Sequence, residues 1–238
     1  KDIFRYVELE EVNVKHKQNM LIQNSDALVS IENIKKGIPL SRVSKKNSLN
    51  NLTSREWIKY TKTWFIFNPP KRKDEEIIHP AKYPEDLVCR FVKFFSKTNE
   101  IIFDPFLGIG STLIAALQNN RSGIGIELNE KYEKIAVRRC IAANKSRQLL
   151  LDSFLDQDSK PQTKVYFKIY NDDSKNITKI WNKEKLNQID CCITSPPYWN
   201  QLKRNNLRQK IRLDNGLDTK YSEDERDIGN IDDYFSFL

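Results

Sequence analysis

The chain has little with which to hold a metal. Its 238 residues include only two histidines, His16 and His79, far apart, and four cysteines, Cys89, Cys140, Cys191 and Cys192, none in a C-x-x-C pair. That excludes a structural zinc site of the usual kind, and no metal is expected. Cys191 and Cys192 fall in an apolar run and read as small buried side chains in a reducing compartment. No apolar stretch approaches the roughly 20 residues that span a bilayer, and no signal peptide is visible. The expectation is a soluble, intracellular protein with no membrane partner. No internal repeat is present.

What is there is enough for a core: 39% hydrophobic and 11% aromatic residues, fitting one domain or one domain with a small appendage. Forty Lys and Arg face 32 Asp and Glu, a net charge of +8. The excess fits a polyanionic partner, and equally an ordinary basic protein.

Residues 1–50 are polar and weakly patterned and read as an N-terminal appendage or arm, leaving 51–238 as the main domain. A short helix opens at Ser54 and runs to Tyr60. Pro84-Glu85-Asp86 starts another, with Leu87, Phe91, Phe94 and Phe95 as its apolar face. Ile101-Ile102-Phe103 predicts a strand, followed by a Gly-rich turn and a helix from Ser111 to about Asn119. Next come a strand over Gly123–Glu127, a helix from Glu130 to about Asn144, a strand over Val165–Tyr170, a helix from Ile177 to Lys185 and a buried strand over Ile189–Thr194. Strands alternating with helices predict an α/β fold with a doubly wound, mostly parallel sheet.

Asp104-Pro105-Phe106-Leu107-Gly108-Ile109-Gly110-Ser111-Thr112 lies between a strand and a helix, where open α/β sheets bind ligands. Gly108 and Gly110 permit a tight turn and close backbone approach. The next strand ends in Glu127, 17 residues beyond Gly110, placed to accept hydrogen bonds from both hydroxyls of a ribose. The third glycine of G-x-G-x-x-G is replaced by Leu113, and no Gly-Lys-Ser/Thr follows, so neither dinucleotide nor P-loop chemistry fits. Asp104 at the strand end would repel a pyrophosphate and suits a cofactor with a positive charge. S-adenosylmethionine, with an ammonium, a sulfonium and no phosphate, matches.

The last strand runs into Ser195-Pro196-Pro197-Tyr198-Trp199-Asn200. Two prolines stiffen this turn, so that it can aim a backbone carbonyl and a short polar side chain at a fixed point, with an aromatic to stack on a flat ligand. Thr194-Ser195-Pro196-Pro197-Tyr198-Trp199 resembles the catalytic motif (D/N/S)-P-P-(Y/F/W) of S-adenosylmethionine-dependent amino-DNA methyltransferases. The Ser form is typical of enzymes that modify cytosine N4, and Asp or Asn is usual for adenine N6. Asp104–Thr112 resembles the same family's D-P-F-x-G-x-G-(S/T)-T. Ile78–Leu87 resembles its H-P-A-x-(F/Y)-P-x-x-L, and Gly125–Tyr132 its G-x-E-x-x-x-x-Y. Asn171-Asp172-Asp173-Ser174 resembles the acidic turn from which an Asp reaches the adenine amino group.

The resemblance covers roughly residues 53–200 and implies a Rossmann-like methyltransferase sheet. It assigns cofactor contacts to His79, Pro80, Asp104, Pro105, Phe106 and Gly108, and further along to Gly110, Ser111, Glu127, Leu128 and Asp173. Ser195, Pro196, Pro197 and Tyr198 would carry the catalysis, on a base flipped out of double-stranded DNA, in a cytoplasmic and prokaryotic setting. An adenine-N6 enzyme, an RNA methyltransferase and an inactive nucleic-acid-binding subunit remain as alternatives. Lys203, Arg204 and Arg208, with Lys210 and Arg212, either follow a phosphate backbone or read bases, or else form a solvated helix face; Glu223–Asp227 reads as a surface turn.

Two departures stand out. Many members with the His-Pro-Ala segment carry the Pro-Pro motif first, whereas here the Gly-rich motif precedes Ser195 by about 90 residues, as if circularly permuted. Four sheet strands can be placed where the family has seven. The expectation is an incomplete sheet, completed by C-terminal residues beyond Leu238, by the N-terminal segments or by a partner chain.

Overall fold

The computed structural model describes residues 43–62, 64, 66–67, 71, 74–154, 165–186, 188–199, 202, 206–231 and 233. Contacts divide the chain into two units, 1–44 and 45–238, and the described helices and strands all lie in the second.

The described residues form four parallel strands: β1 (Ile101–Asp104), β2 (Ser122–Glu127), β3 (Phe167–Asn171) and β4 (Cys191–Cys192). Their order is β3-β2-β1-β4, which puts the Gly-rich turn at the end of a central strand. β1 pairs with β2 from Ile101↔Ser122 to Asp104↔Gly125, and with β4 at Ile102↔Cys191 and Phe103↔Cys192.

Alternation along the strands decides the two faces. Ile101 and Phe103 of β1 join Ile124 and Ile126 of β2 in one cluster, covered by Ile180 and Trp181 of α6 (Ile177–Glu184). Ile102 points the other way, onto Val88 and Val92 of α3 (Glu85–Phe95) and Ala115 and Ala116 of α4 (Ser111–Gln118). A third cluster joins Leu113 and Leu117 of α4 to Ala136 and Cys140 of α5 (Glu130–Phe154). Helices on both faces of a parallel sheet are the layering the alternation of elements predicts.

Two short helices precede these. In α1 (Ser54–Tyr60) the Thr53 side chain accepts from the Glu56 N–H while Glu56 accepts from the Thr53 N–H, a reciprocal cap. The second is α2 (Asp74–Ile77). The one after the Pro-Pro turn is α7 (Leu207–Asp214), capped by Asn206.

Several local expectations change. The buried face of α3 is Val88 and Val92, with Phe94 against Trp57 and Tyr60 of α1, while Phe95 is exposed. β3 begins two residues later than predicted, and α5 runs ten residues past Asn144. The expected buried strand over Ile189–Thr194 shrinks to Cys191–Cys192 at the sheet edge, with Cys191 half-buried and Cys192 exposed. The two cysteines are therefore not both core residues: among the described residues β4 has a neighbour on one side only, and its alternate side chains leave the core. No described helix is long and apolar enough to cross a membrane, and no described cluster of His, Cys, Asp or Glu is arranged to hold a metal.

Candidate functional site

The Gly-rich turn is shaped by two left-handed residues, Gly108 (φ 57°) and Gly110 (φ 89°). A Cβ on Gly110 would stand 3.2 Å from Ala136 Cβ of α5, so this glycine serves helix packing as well as the turn. A Cβ on Gly108 would stand 3.0 Å from Nε2 of His79, whose ring also meets Tyr132 edge-on with centroids 4.7 Å apart. The His-Pro-Ala segment thus packs directly on the turn. His79 Nδ1 accepts a hydrogen bond from the Ala81 N–H, which shapes its own loop.

A cavity of about 180 Å³ opens at the carboxyl ends of the strands. His79, Pro105, Phe106, Gly108, Ser111, Glu127, Leu128, Asp173, Ser195 and Pro197 all line it. Residues 79 to 197, drawn from five separate motifs, are brought to one place. The reversed motif order does not disturb this, because β4 lies beside β1 in space.

Glu127 forms the acidic floor. Its Oε2 accepts from the Gly108 N–H at 2.6 Å and its Oε1 from the Asn129 N–H at 2.9 Å. Burial pushes its carboxyl up to about 7, against the pull of those two N–H groups, and the charges of Asp104 and Asp227 add to the rise. Asp173 accepts from the Lys175 N–H, capping a 3-10 turn over Ser174–Asn176. Ser174 Oγ donates to the Pro105 carbonyl, tying the exit of β3 to the exit of β1.

Asp104, Gly110, Pro80, Pro196 and Tyr198 do not line the cavity. Asp104 is fully buried behind it. Its Oδ1 accepts from the Phe106 N–H at 3.0 Å and Thr194 Oγ1 at 2.6 Å, and its Oδ2 from Thr112 Oγ1 and, at 3.2 Å, the Tyr83 hydroxyl. Burial raises its pKa, opposed by those hydrogen bonds. Asp104 therefore locks the exits of β1 and β4 together, at the start of α4. Tyr198 is exposed, with its hydroxyl 3.1 Å from Ser195 Oγ. The following residue, Trp199, takes φ 44°, a conformation that costs a bulky side chain about 1–2 kcal/mol and turns the chain sharply after Tyr198.

Beneath the turn lies a buried ion network. The Arg139 guanidinium donates to the Ile109 carbonyl, to Glu76 at 2.9 Å and to Glu85. Lys82 Nζ reaches Glu76 at 2.9 Å and Glu85 at 3.1 Å. Lys82 lines the cavity with its charge already paired.

Sequence reasoning missed one wall entirely. Tyr221, Ser222, Arg226, Asp227 and Ile228 also line the cavity, so the stretch read as a surface turn is one only in part: Glu223 is exposed, while Asp227 is buried. The segment is held by the Asn129 side chain on the Tyr221 carbonyl at 2.8 Å and by Lys131 and Tyr132 on Asp218. Its only local signal was Asp227-Ile228-Gly229, in which Asp227 caps a tight turn. Lys203 and Arg204 lie outside the described residues, and Arg208 belongs to α7 with its side chain not described. Arg212 is a correction: it is buried, with its guanidinium on the carbonyls of Ile77, Ile78 and Asp218, so it is a clamp and not a phosphate ligand.

Parallel strands in the order β3-β2-β1-β4, helices on both faces and a cavity at the carboxyl ends define a Rossmann-like α/β methyltransferase fold, incomplete among the described residues. The chain belongs to the DNA methylase family, whose model matches residues 7–138. It is 38% identical over 73 residues to the type II methyltransferase M.BglII of Bacillus subtilis, covering 31% of this chain and 20% of that protein. It is 40% identical over 72 residues to the type II methyltransferase M.ScaI of Streptomyces caespitosus, covering 30% and 24%. Over 71 residues it is 38% identical to the DNA adenine methyltransferase YhdJ of Escherichia coli K12, covering 30% and 24%. The chain thus spans only about a fifth to a quarter of the length of these relatives.

Proposed function

We propose that this chain is the core of a cytoplasmic DNA methyltransferase that transfers a methyl group from S-adenosylmethionine to an exocyclic amino group of a flipped base, cytosine N4 in first place. One observation carries the reading: Ser195 and Pro197 of the Pro-Pro turn line the same cavity as Glu127 and Gly108. A nucleoside on Glu127 would lie beside a turn suited to hold an amino group. The cavity also fits a phosphate-free, positively charged nucleoside. Its floor is a carboxylate, its aromatic walls are His79, Phe106 and Tyr132, and its nearest buried cation, Lys82, is bound to Glu76 and Glu85.

When bound, the cofactor supplies an activated methyl group. Glu127 would accept hydrogen bonds from the ribose hydroxyls, and Leu128 and Asp173 would hold the adenine. The amino nitrogen of the target base is a weak nucleophile because its lone pair is delocalised into the ring. Ser195 Oγ and the Pro196 carbonyl accept its N–H bonds, favouring a pyramidal nitrogen with a localised lone pair. Pro197 keeps the turn rigid, and the exposed Tyr198 ring stacks on the flipped base. Lys203, Arg204 and Arg208 contact the DNA backbone. A partner chain or a further segment completes the sheet beyond β4.

Adenine N6 is the second reading, favoured by the name of one relative, a DNA adenine methyltransferase; the Ser before Pro-Pro favours cytosine N4. Mass analysis of nucleosides from DNA treated with the protein and labelled S-adenosylmethionine separates them. Labelled N4-methylcytosine supports the first reading, N6-methyladenine the second, and absence of label in either refutes both.

Glu127 gives a pH test. Its carboxyl, normally near 4.5, titrates near 7 in the folded protein, so the folded state holds an extra proton between these values and loses stability as pH rises through them. Ribose hydroxyls donate to the charged form. Affinity for 5′-methylthioadenosine, which does not itself titrate in this range, should rise roughly tenfold from about pH 6 to 8. Glu127→Gln should remove the slope, and a slope kept in that variant would assign the titration elsewhere.

A further inference from the structure

With every oxygen of Asp104 taken by protein donors, another group must answer the positive charge of the proposed cofactor. We propose that Asp227, carried in by the Tyr221–Ile228 segment, is the specificity residue that receives the cofactor's cationic sulfonium and ammonium end. The inference rests on the S-adenosylmethionine reading and deepens it.

Three observations support the placement. Asp227 lines the cavity and is only 6% exposed, so its carboxylate meets a ligand in a poorly solvated setting. It stands beside the Pro-Pro turn: a Cβ on Gly229 would be 3.2 Å from Asp227 Oδ1 and 3.3 Å from Pro197 Cβ. A methyl donor must place its charged sulfur next to that turn for transfer to a base held there. Finally, among the described residues Asp227 has no cation of its own. Oδ1 accepts from the Gly229 N–H at 2.8 Å, and no described lysine or arginine forms an ion pair with it.

The surrounding charges agree. Glu127 and Asp224 are the acids near Asp227; burial and the charge of Asp224 raise its pKa, against hydrogen bonds from the Gly229 and Ser222 N–H groups. The cations at the cavity mouth are Lys175 and Arg226, both exposed, and Arg226 is held bidentately by Asp224 at 2.9 and 2.6 Å. A buried carboxylate without a counter-ion is costly, and a cationic ligand relieves that cost. A neutral ligand does not.

The test compares two probes by calorimetry on the whole chain: S-adenosylmethionine, and 5′-methylthioadenosine, which has the same nucleoside but a neutral sulfur and no amino-acid part. Asp227→Asn keeps a side-chain oxygen to cap Gly229 and removes the charge. The expected result is at least a tenfold loss for S-adenosylmethionine and less than a twofold change for methylthioadenosine. Equal losses for both would make Asp227 merely a wall of the cavity, and no loss for either would remove it from binding; both overturn the proposal. Glu127→Ala, which strips the ribose contact common to both, should weaken both probes. If Glu127→Ala behaves so while Asp227→Asn does not discriminate, the cofactor reading stands and this proposal falls. If the unaltered chain binds neither probe, the cofactor reading itself fails.

Discussion

Ser195→Ala is expected to slow methyl transfer by about a hundredfold or more while leaving cofactor affinity within about twofold, because one well-placed acceptor or donor at a reacting centre is worth about 3 kcal/mol in the transition state. Ser195 lines the cavity, and its Oγ lies 3.1 Å from the Tyr198 hydroxyl. That contact orients the hydroxyl before DNA arrives. Tyr198→Ala should cause a loss of the same order by removing the stacking surface. Tyr198→Phe keeps the ring and loses only the orienting hydroxyl, so it should retain most of the rate. Single-turnover rates with bound DNA, set against calorimetric affinities, decide the matter. A normal rate in Ser195→Ala or Tyr198→Ala would strip that residue of its role.

The largest stability effect is expected at Arg139. Its guanidinium, nearly buried, binds Glu76, Glu85 and the Ile109 carbonyl inside the Gly-rich turn. Arg139→Ala leaves two partly buried carboxylates to Lys82 alone and frees the turn, a loss of about 3–5 kcal/mol by analogy with other broken buried pairs. Arg139→Lys should recover only part, since a point charge cannot fork between two carboxylates and a carbonyl. Urea unfolding followed by circular dichroism reads the difference. Burial alone would raise the pKa of Glu76, yet hydrogen bonding from Lys82 and the charge of Arg139 carry it below its usual value. That contribution is present above about pH 4.5 and fades as pH falls through the lowered pKa, so the gap between Arg139→Ala and the unaltered chain should narrow in acid. A gap independent of pH would place the effect in the Ile109 contact instead.

The central strands were legible because local pattern and tertiary placement agree there: β1 is short, apolar and followed by a turn with two glycines, and β2 carries Ile124 and Ile126 into the core. Asn144 was a poor stop for α5. No glycine or proline follows it, and Lys145–Leu151 are mostly good helix formers, so the helix continues to Phe154. β4 was overestimated because an apolar run does not reveal that it lies at an edge. The five motifs located most of the cavity, yet two features escaped for a common reason. Asp104 looked like a free charge because its partners Tyr83 and Thr194 are 21 residues before it and 90 after it. Asp227 looked like part of a solvated acidic stretch because its neighbours Glu127 and Pro197 come from other elements. Arg212 was misread in the same way, as its carbonyl partners at Ile77 and Ile78 are more than 130 residues away.

The wall formed by Tyr221–Ile228 makes the cavity a joint between distant parts of the chain. A ligand seated there touches β2, the Gly-rich turn and this late segment together, so it favours the docked arrangement over any in which the segment has lifted. At a hundred times its dissociation constant it would add about 2.7 kcal/mol to that arrangement. Amide exchange and proteolysis around residues 217–231 would then register nucleoside occupancy more than 80 residues along the chain from Glu127. By reciprocity, anything that draws the segment away from Pro197 weakens the nucleoside by the same factor. Supply of the small molecule and the posture of the Pro-Pro turn become two readings of one equilibrium.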